Sequence, residues 1–96
     1  MVLHTLNAPP DSAAFNDCLA AIAPGDALLL LGDGVYCALT ATPACDAILH
    51  CGAQLYVLDK DARAAGVIEP PDTVTVTDMP GFVALTARYP RQLAWY

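Results

Sequence analysis

Positively charged side chains are scarce in this chain of 96 residues, and none precedes Lys60. The four basic residues are Lys60, Arg63, Arg88 and Arg91. The chain has ten acidic residues, so its formal net charge is −6. Binding to nucleic acid depends on a cluster of cations that displaces counterions from phosphates. The sequence therefore argues against direct binding of RNA or DNA.

Long apolar runs are also missing. No purely aliphatic stretch is longer than Ala27–Leu31, which is far below the ~20 residues of a membrane-spanning helix. The N-terminus has no basic region ahead of an apolar stretch, so no secretory signal is predicted. We expect a cytoplasmic protein without a membrane partner, with cysteines kept reduced.

The familiar motifs of metal, cofactor and redox sites are absent. Cys18, Cys37, Cys45 and Cys51 form no Cys-x-x-Cys pair, which argues against a thioredoxin-like site or a zinc ribbon. His50 adjoins Cys51, but adjacent residues rarely ligate one metal without further ligands. With neither a G-x-G-x-x-G pattern nor a P-loop, we expect no bound metal or cofactor.

Apolar residues are abundant instead. They make up 56% of the chain and charged residues 15%, against about 45–50% and 25% in ordinary soluble domains. We predict one domain, residues 1–96, which is too small to bury all of this apolar surface alone. Contact with other subunits is the interpretation we favour.

Hydrophobic patterning predicts strands that alternate with helices. We expect strands over 2–6, 27–31, 54–58 and 73–77, with 93–96 forming a fifth strand or a docked tail. Helices should begin near Asp11 or Ser12, at 35, 43 and 59, and after Asp78. This order predicts an α/β fold: a three-layer α/β/α sandwich around a mostly parallel five-stranded sheet with right-handed crossovers.

Candidate binding residues fall at the carboxyl ends of the predicted strands, where ligands bind in open α/β sheets. These positions are Asn7, the turn Gly32–Asp33–Gly34, Asp59 and Asp78. A phosphate site needs glycines without a carboxylate, so Asp33 argues against one. The glycines are better explained by the turn itself.

The cysteines have two interpretations. Cys18 lies on the inner face of the first predicted helix with Phe15, Leu19 and Ile22, which indicates a small core residue. As a sulfur-carrying thiolate it would need access and a lowered pKa. Cys37 should lie near a helix start, which favours a thiolate, although Asp33 opposes it. Cys45 is predicted to be a core residue, and Cys51 receives no role.

The order of several segments resembles the TusB/DsrH family over nearly the whole chain. No single motif identifies the family, but the ordered combination of the segments is specific. The matching segments are Leu3–Asn7 with Pro9, Gly25–Tyr36, Leu55–Leu58 with Asp61–Ala64 and Gly66, Phe82–Val83, Leu85–Thr86, and Gln92–Trp95.

This resemblance implies a DsrE/DsrF-like fold and a bacterial hetero-oligomer with TusC/DsrF-like and TusD/DsrE-like subunits. In the Tus branch, such a complex relays persulfide sulfur from TusA toward TusE for 2-thiolation of the tRNA wobble uridine. In the Dsr branch, a similar complex serves sulfur oxidation. The principal sulfur-accepting cysteine belongs to the TusD/DsrE-type subunit, so this chain is expected to be an accessory subunit rather than an enzyme on its own.

Some family members carry a cysteine in the first helix, and Cys18 falls at that position. The resemblance therefore makes Cys18 the candidate catalytic residue, as a persulfide carrier. A stand-alone small thiol enzyme is the alternative from another class.

Overall fold

The computed structural model describes residues 1–96 and contains one five-stranded sheet in which every pair of neighbouring strands is parallel. The strands are β1 (Val2–Leu6), β2 (Ala27–Leu30), β3 (Gln54–Leu58), β4 (Val74–Thr77) and β5 (Arg91–Trp95). The helices are α1 (Ala13–Ala21), a 3-10 helix (Gly32–Ala38), α2 (Pro43–Leu49), α3 (Asp59–Ala64) and α4 (Met79–Arg88). The predicted fold class is confirmed.

The strand order β4-β3-β2-β1-β5 decides which helices share a face of the sheet. The connections from β1 to β4 all step in one direction, whereas the connection from β4 to β5 crosses back. Because parallel crossovers are right-handed, this reversal puts α4 on the opposite face from the other helices. The large core cluster therefore lies on one face and the small cluster, with Leu85 and Tyr89 of α4, on the other.

Strand alternation supplies both clusters from the same strands. On β1, Leu6 packs in the large cluster and Leu3 in the small one. On β2, Leu28 and Leu30 face the large cluster, while Leu29 faces the small one. All of Ala27–Leu30 is buried, as a continuously apolar strand predicts.

Side-chain caps set the helix starts. Ser12 accepts a hydrogen bond from the backbone N–H of Phe15 at 3.1 Å, so Ser12, and not Asp11, is the cap of α1. Asp78 accepts from the N–H of Gly81 at 2.9 Å, which confirms its predicted capping role. Each cap satisfies an amide that lacks a partner within its own helix.

The sequence prediction differs from the structure at three strands and at one helix start. β2 ends at Leu30 and β4 begins at Val74, so each is one residue shorter than predicted. The segment Gly32–Gly34, expected to be a turn before a helix at 35, is the first turn of the 3-10 helix. The C-terminal segment is a strand, and it begins at Arg91 rather than Leu93. Backbone pairing with β1 over Val2–Leu6 extends it, a long-range interaction that local periodicity does not report.

No helix of the structure combines the length and apolar character needed to cross a membrane.

Candidate functional site

The carboxyl ends of β1 and β2 meet the start of α3 around the 3-10 helix. Asp61 Oδ2 accepts a hydrogen bond from the N–H of Gly32 at 2.8 Å, and Asn7 Oδ1 accepts from the N–H of Asp33 at 3.2 Å. These amides open a helix and have no partner within it. The structure thus brings Asn7 and the glycine turn together as predicted. It adds Asp61, whose contribution depends on where α3 packs.

A shallow groove of about 220 Å³ lies beside this turn and is lined by Gly32, Asp33, Tyr36, Asp61, Ala64 and Ala65. Asp33 and Asp61 contribute two carboxylates to the groove, and none of its lining residues is basic. A phosphate or carboxylate ligand would meet negative charge without a compensating cation. The groove therefore does not suit an anionic ligand.

The remaining predicted edge residues have local roles. Asp59 accepts from Arg63 Nε at 2.9 Å within α3, an exposed pair four residues apart. Asp78 caps α4. Neither carboxylate joins Asp33 and Asp61 in the groove. No group of three His, Cys, Asp or Glu side chains is arranged to hold a metal ion.

Cys18, the candidate catalytic residue, is a core side chain in the isolated chain. It has no exposed surface and packs in the large cluster. Burial, followed by the neighbouring Cys51 thiol, raises the pKa of Cys18 to about 12. Because the thiolate is the nucleophile, Cys18 is inert in this conformation. Sulfur transfer at Cys18 would require a movement that exposes the thiol, and the role of Cys18 as a persulfide carrier stays a prediction.

The other three thiols divide into two buried and one accessible. Cys37 lies near the end of the 3-10 helix, not near a helix start, so the expected stabilisation of its thiolate is wrong. Burial raises its pKa to about 12, with smaller contributions from Cys18, Asp11 and Cys45. Cys45 is buried as predicted, and burial followed by Asp46 raises its pKa. Cys51 alone is partly exposed.

A buried polar network on β1 escaped the sequence analysis. His4 is 1% exposed; its Nε2 lies 2.9 Å from Asp26 Oδ2, and its Nδ1 accepts a hydrogen bond from Trp95 Nε1 at 3.1 Å. An Asp–His pair can orient a general base. Here Trp95 occupies the ring nitrogen that would act on a substrate, so the network is structural. Asp26 is 22 residues and Trp95 is 91 residues from His4 in the sequence, so no local motif indicates the network.

Asp26 anchors that network. Its burial raises its pKa, but hydrogen bonds from the Ala23 amide, His4 and the Val2 amide outweigh this and lower the pKa to about 2. The two amides donate at 3.0 Å and 2.9 Å. Hydrogen bonds from several donors stabilise the charged carboxylate, so Asp26 stays ionised although it is buried.

Comparison with known proteins gives a consistent family. Residues 7–92 match the family model described as DsrH like protein. Protein TusB of Pectobacterium parmentieri is 40% identical over 95 residues, covering 98% of this chain and 100% of that protein. Protein TusB of Escherichia coli (strain K12) is 33% identical over the same shares.

A solved structure shares the fold. The crystal structure of the ychN protein from E. coli superposes with a TM-score of 0.75, over 98% of this chain and 97% of that one. At 14% sequence identity, this likeness supports the architecture alone.

Proposed function

The chain belongs to the DsrH-like protein family, and from that membership we propose that it is a subunit of a cytoplasmic, hetero-oligomeric sulfur-relay complex. In this proposal the complex passes persulfide sulfur toward 2-thiouridine at the tRNA wobble position. Its partners are TusC/DsrF-like and TusD/DsrE-like subunits, which exchange sulfur with carriers of the TusA and TusE type. The observation that carries the proposal is the full-length match to proteins named TusB at 33–40% identity.

The thiol environment supports an accessory role. Three of the four cysteines are buried, and burial raises the pKa of each. A stand-alone thiol enzyme needs an accessible thiol with a lowered pKa. The burial of these three thiols supports a principal sulfur acceptor on a partner subunit.

The exposed apolar surface supports assembly. α4 is the one helix on its face of the sheet, and its outer side chains Met79 and Val83 are 55% and 64% exposed. Ile68 and Leu93 are exposed elsewhere on the molecule. Such surface is typical of subunits that bury it against other chains. The four basic residues, with Arg63 already paired to Asp59, support an acidic subunit that does not contact tRNA.

The experiment is co-expression of the chain with TusC-type and TusD-type subunits from the same source, followed by size-exclusion chromatography and intact-mass analysis. The expected result is one hetero-oligomer, with an added sulfur atom on the TusD-type subunit after exposure to a sulfur donor. A chain that elutes as a monomer beside its partners would contradict the proposal.

Deletion of the chromosomal copy separates the two physiological branches. We expect loss of 2-thiouridine from tRNA, measured by nucleoside mass spectrometry, and recovery on complementation. Unchanged 2-thiouridine with impaired sulfur oxidation would assign the chain to the DsrH branch instead.

A further inference from the structure

The C-terminal strand β5 is an edge strand with few side-chain anchors. It pairs with β1 alone, and its other backbone edge is unpaired. Arg91, Gln92, Leu93 and Ala94 are all exposed, whereas Trp95 is half-buried and packs against the large core cluster. Apart from the backbone ladder, β5 is held by two side chains: Gln92, whose Nε2 donates to the carbonyls of Thr86 and Tyr89 at 3.2 Å and 3.5 Å, and Trp95, which packs against the large core cluster.

The attachment of Trp95 depends on the protonation state of His4. An indole N–H only donates, so His4 Nδ1 must accept and carries no proton. The imidazole proton is then on Nε2, which donates to Asp26 Oδ2 at 2.9 Å. The two rings also stack, with centroids 6.2 Å apart and an interplanar angle of 22°. This geometry needs the neutral Nε2-H tautomer of His4.

We propose that His4 and Trp95 form a proton-sensitive latch that holds β5 in the sheet. When a proton from solvent adds to the Nδ1 lone pair, two donors face each other and the indole loses its acceptor. Trp95 then moves away, and β5 retains its backbone ladder to β1 and the Gln92 hydrogen bonds, but no contact with the large core cluster. The latch is a property of the single chain and does not rest on the sulfur-relay function.

The charged groups around His4 support a switch centred on this side chain. Asp26 is bonded to Nε2 and keeps its negative charge until the pH approaches 2, because its pKa is lowered to about 2. It can therefore pair with the imidazolium once it forms. The basic groups along β1 and its neighbouring strands are the Met1 ammonium, just before β1, and the exposed Arg91 of β5 opposite Val2. On the helix packed over this face, α1, the inward titratable group is the neutral Cys18 thiol.

The test uses the single tryptophan of the chain as its own reporter. The full chain is titrated between about pH 8 and 5, the range in which histidine changes charge, while Trp95 emission and amide exchange of residues 91–95 are measured. We expect a sigmoidal loss of Trp95 emission. We also expect a threefold to tenfold rise in the opening equilibrium of β5, roughly the effect of losing one hydrogen bond.

Two variants make the assignment. The glutamine side chain in His4→Gln does not titrate. The amide exchange of the wild type is therefore compared with that of His4→Gln at each pH, and the Trp95 emission of the variant should not change with pH. His50→Gln removes the only other histidine, an exposed side chain whose Nδ1 lies 2.7 Å from the Asp46 carbonyl oxygen, and it should keep the transition. A transition that persists in His4→Gln, or that disappears in His50→Gln, would overturn the latch.

Nitrogen-15 NMR of the wild-type ring tests the premise without relying on any variant folding. At about pH 8, His4 should carry its proton on Nε2 and none on Nδ1. A proton on Nδ1 at that pH, or Trp95 emission and β5 exchange that stay constant on acidification, would refute the proposal.

Discussion

Gly34 lies so close to the carbonyl group of Leu6 that no Cβ atom fits between them. This contact fastens the 3-10 helix to the carboxyl end of β1, while the N–H of Gly34 donates to the Leu31 carbonyl at 2.9 Å. The neighbouring Leu31 N–H donates to the Leu6 carbonyl at 3.1 Å. The glycine turn thus serves backbone packing rather than ligand binding.

Gly34→Ala should destabilise the chain by about 3 kcal/mol, because the added methyl group overlaps backbone rather than a flexible side chain. Chemical denaturation measures the change. Gly66→Ala is the matched control: its Cβ would meet open space, but its φ of +79° makes any side chain strained. The control should cost about 1 kcal/mol. Equal effects of the two substitutions would contradict the steric explanation.

Asp26→Asn should destabilise the fold by about 2 kcal/mol at neutral pH. The Asp26 pKa falls from 3.8 to about 2 on folding, so its contribution is complete above pH 3.8 and is lost as the pH falls toward 2. The difference in unfolding free energy between wild type and variant should therefore shrink below about pH 4. Asp72→Asn, at an exposed loop position, should be neutral throughout. A difference that does not change with pH would contradict the assignment.

Iodoacetamide at about pH 8 should label Cys51 in the folded chain and leave the other three cysteines unmodified. Burial blocks access to those thiols and raises their pKa. We therefore expect Cys51 to react roughly a hundredfold faster than each of the other three. Peptide mass spectrometry gives the sites, and labelling in denaturant should reach all four. Fast native labelling of Cys18 would show that α1 opens readily.

If Cys18 carries sulfur inside the assembled complex, Cys18→Ser should abolish persulfide loading of this subunit. The measurement is the intact mass of each subunit after incubation of the complex with a sulfur donor. Cys51→Ser should leave the loading unchanged. Loading that survives Cys18→Ser, or that is absent from the wild-type subunit, leaves Cys18 as a core residue.

Val83→Asp should weaken assembly roughly tenfold or more while the isolated chain keeps its stability within about 0.5 kcal/mol. The side chain is 64% exposed on α4, so a charge costs little in the free chain and much in a dry interface. Ala20→Asp changes an exposed residue of α1, on the opposite face, and is the control. Loss of stability in free Val83→Asp, or unchanged assembly, would contradict this interface.

Local patterns predicted most of the fold. The continuous apolar run at Ala27 and the threonine–valine alternation before Asp78 both indicated strands, and both are strands. Asp78 was predicted as a helix cap, and for the first helix the prediction left Asp11 and Ser12 open; Asp78 and Ser12 are the caps. These features depend on neighbours a few residues away, so the sequence contains them in full.

The candidate site was less predictable because its contacts span the sheet. The sequence placed Asn7 and the glycine turn at one edge but could not show that Asp61 would satisfy the Gly32 amide, 29 residues away. Nor could the sequence show where Cys37 lies in its helix, because the 3-10 turn begins earlier than the apolar pattern suggests.

The sequence by itself determined the alternation of strands and helices, and its overall likeness determined the family. Only the tertiary structure decided the network of His4, Asp26 and Trp95. The reason is strand register: Leu6 lies opposite Trp95, and His4 lies opposite Leu28, close to Asp26. Such register is a property of paired strands, so it forms only when segments from the two ends of the chain meet.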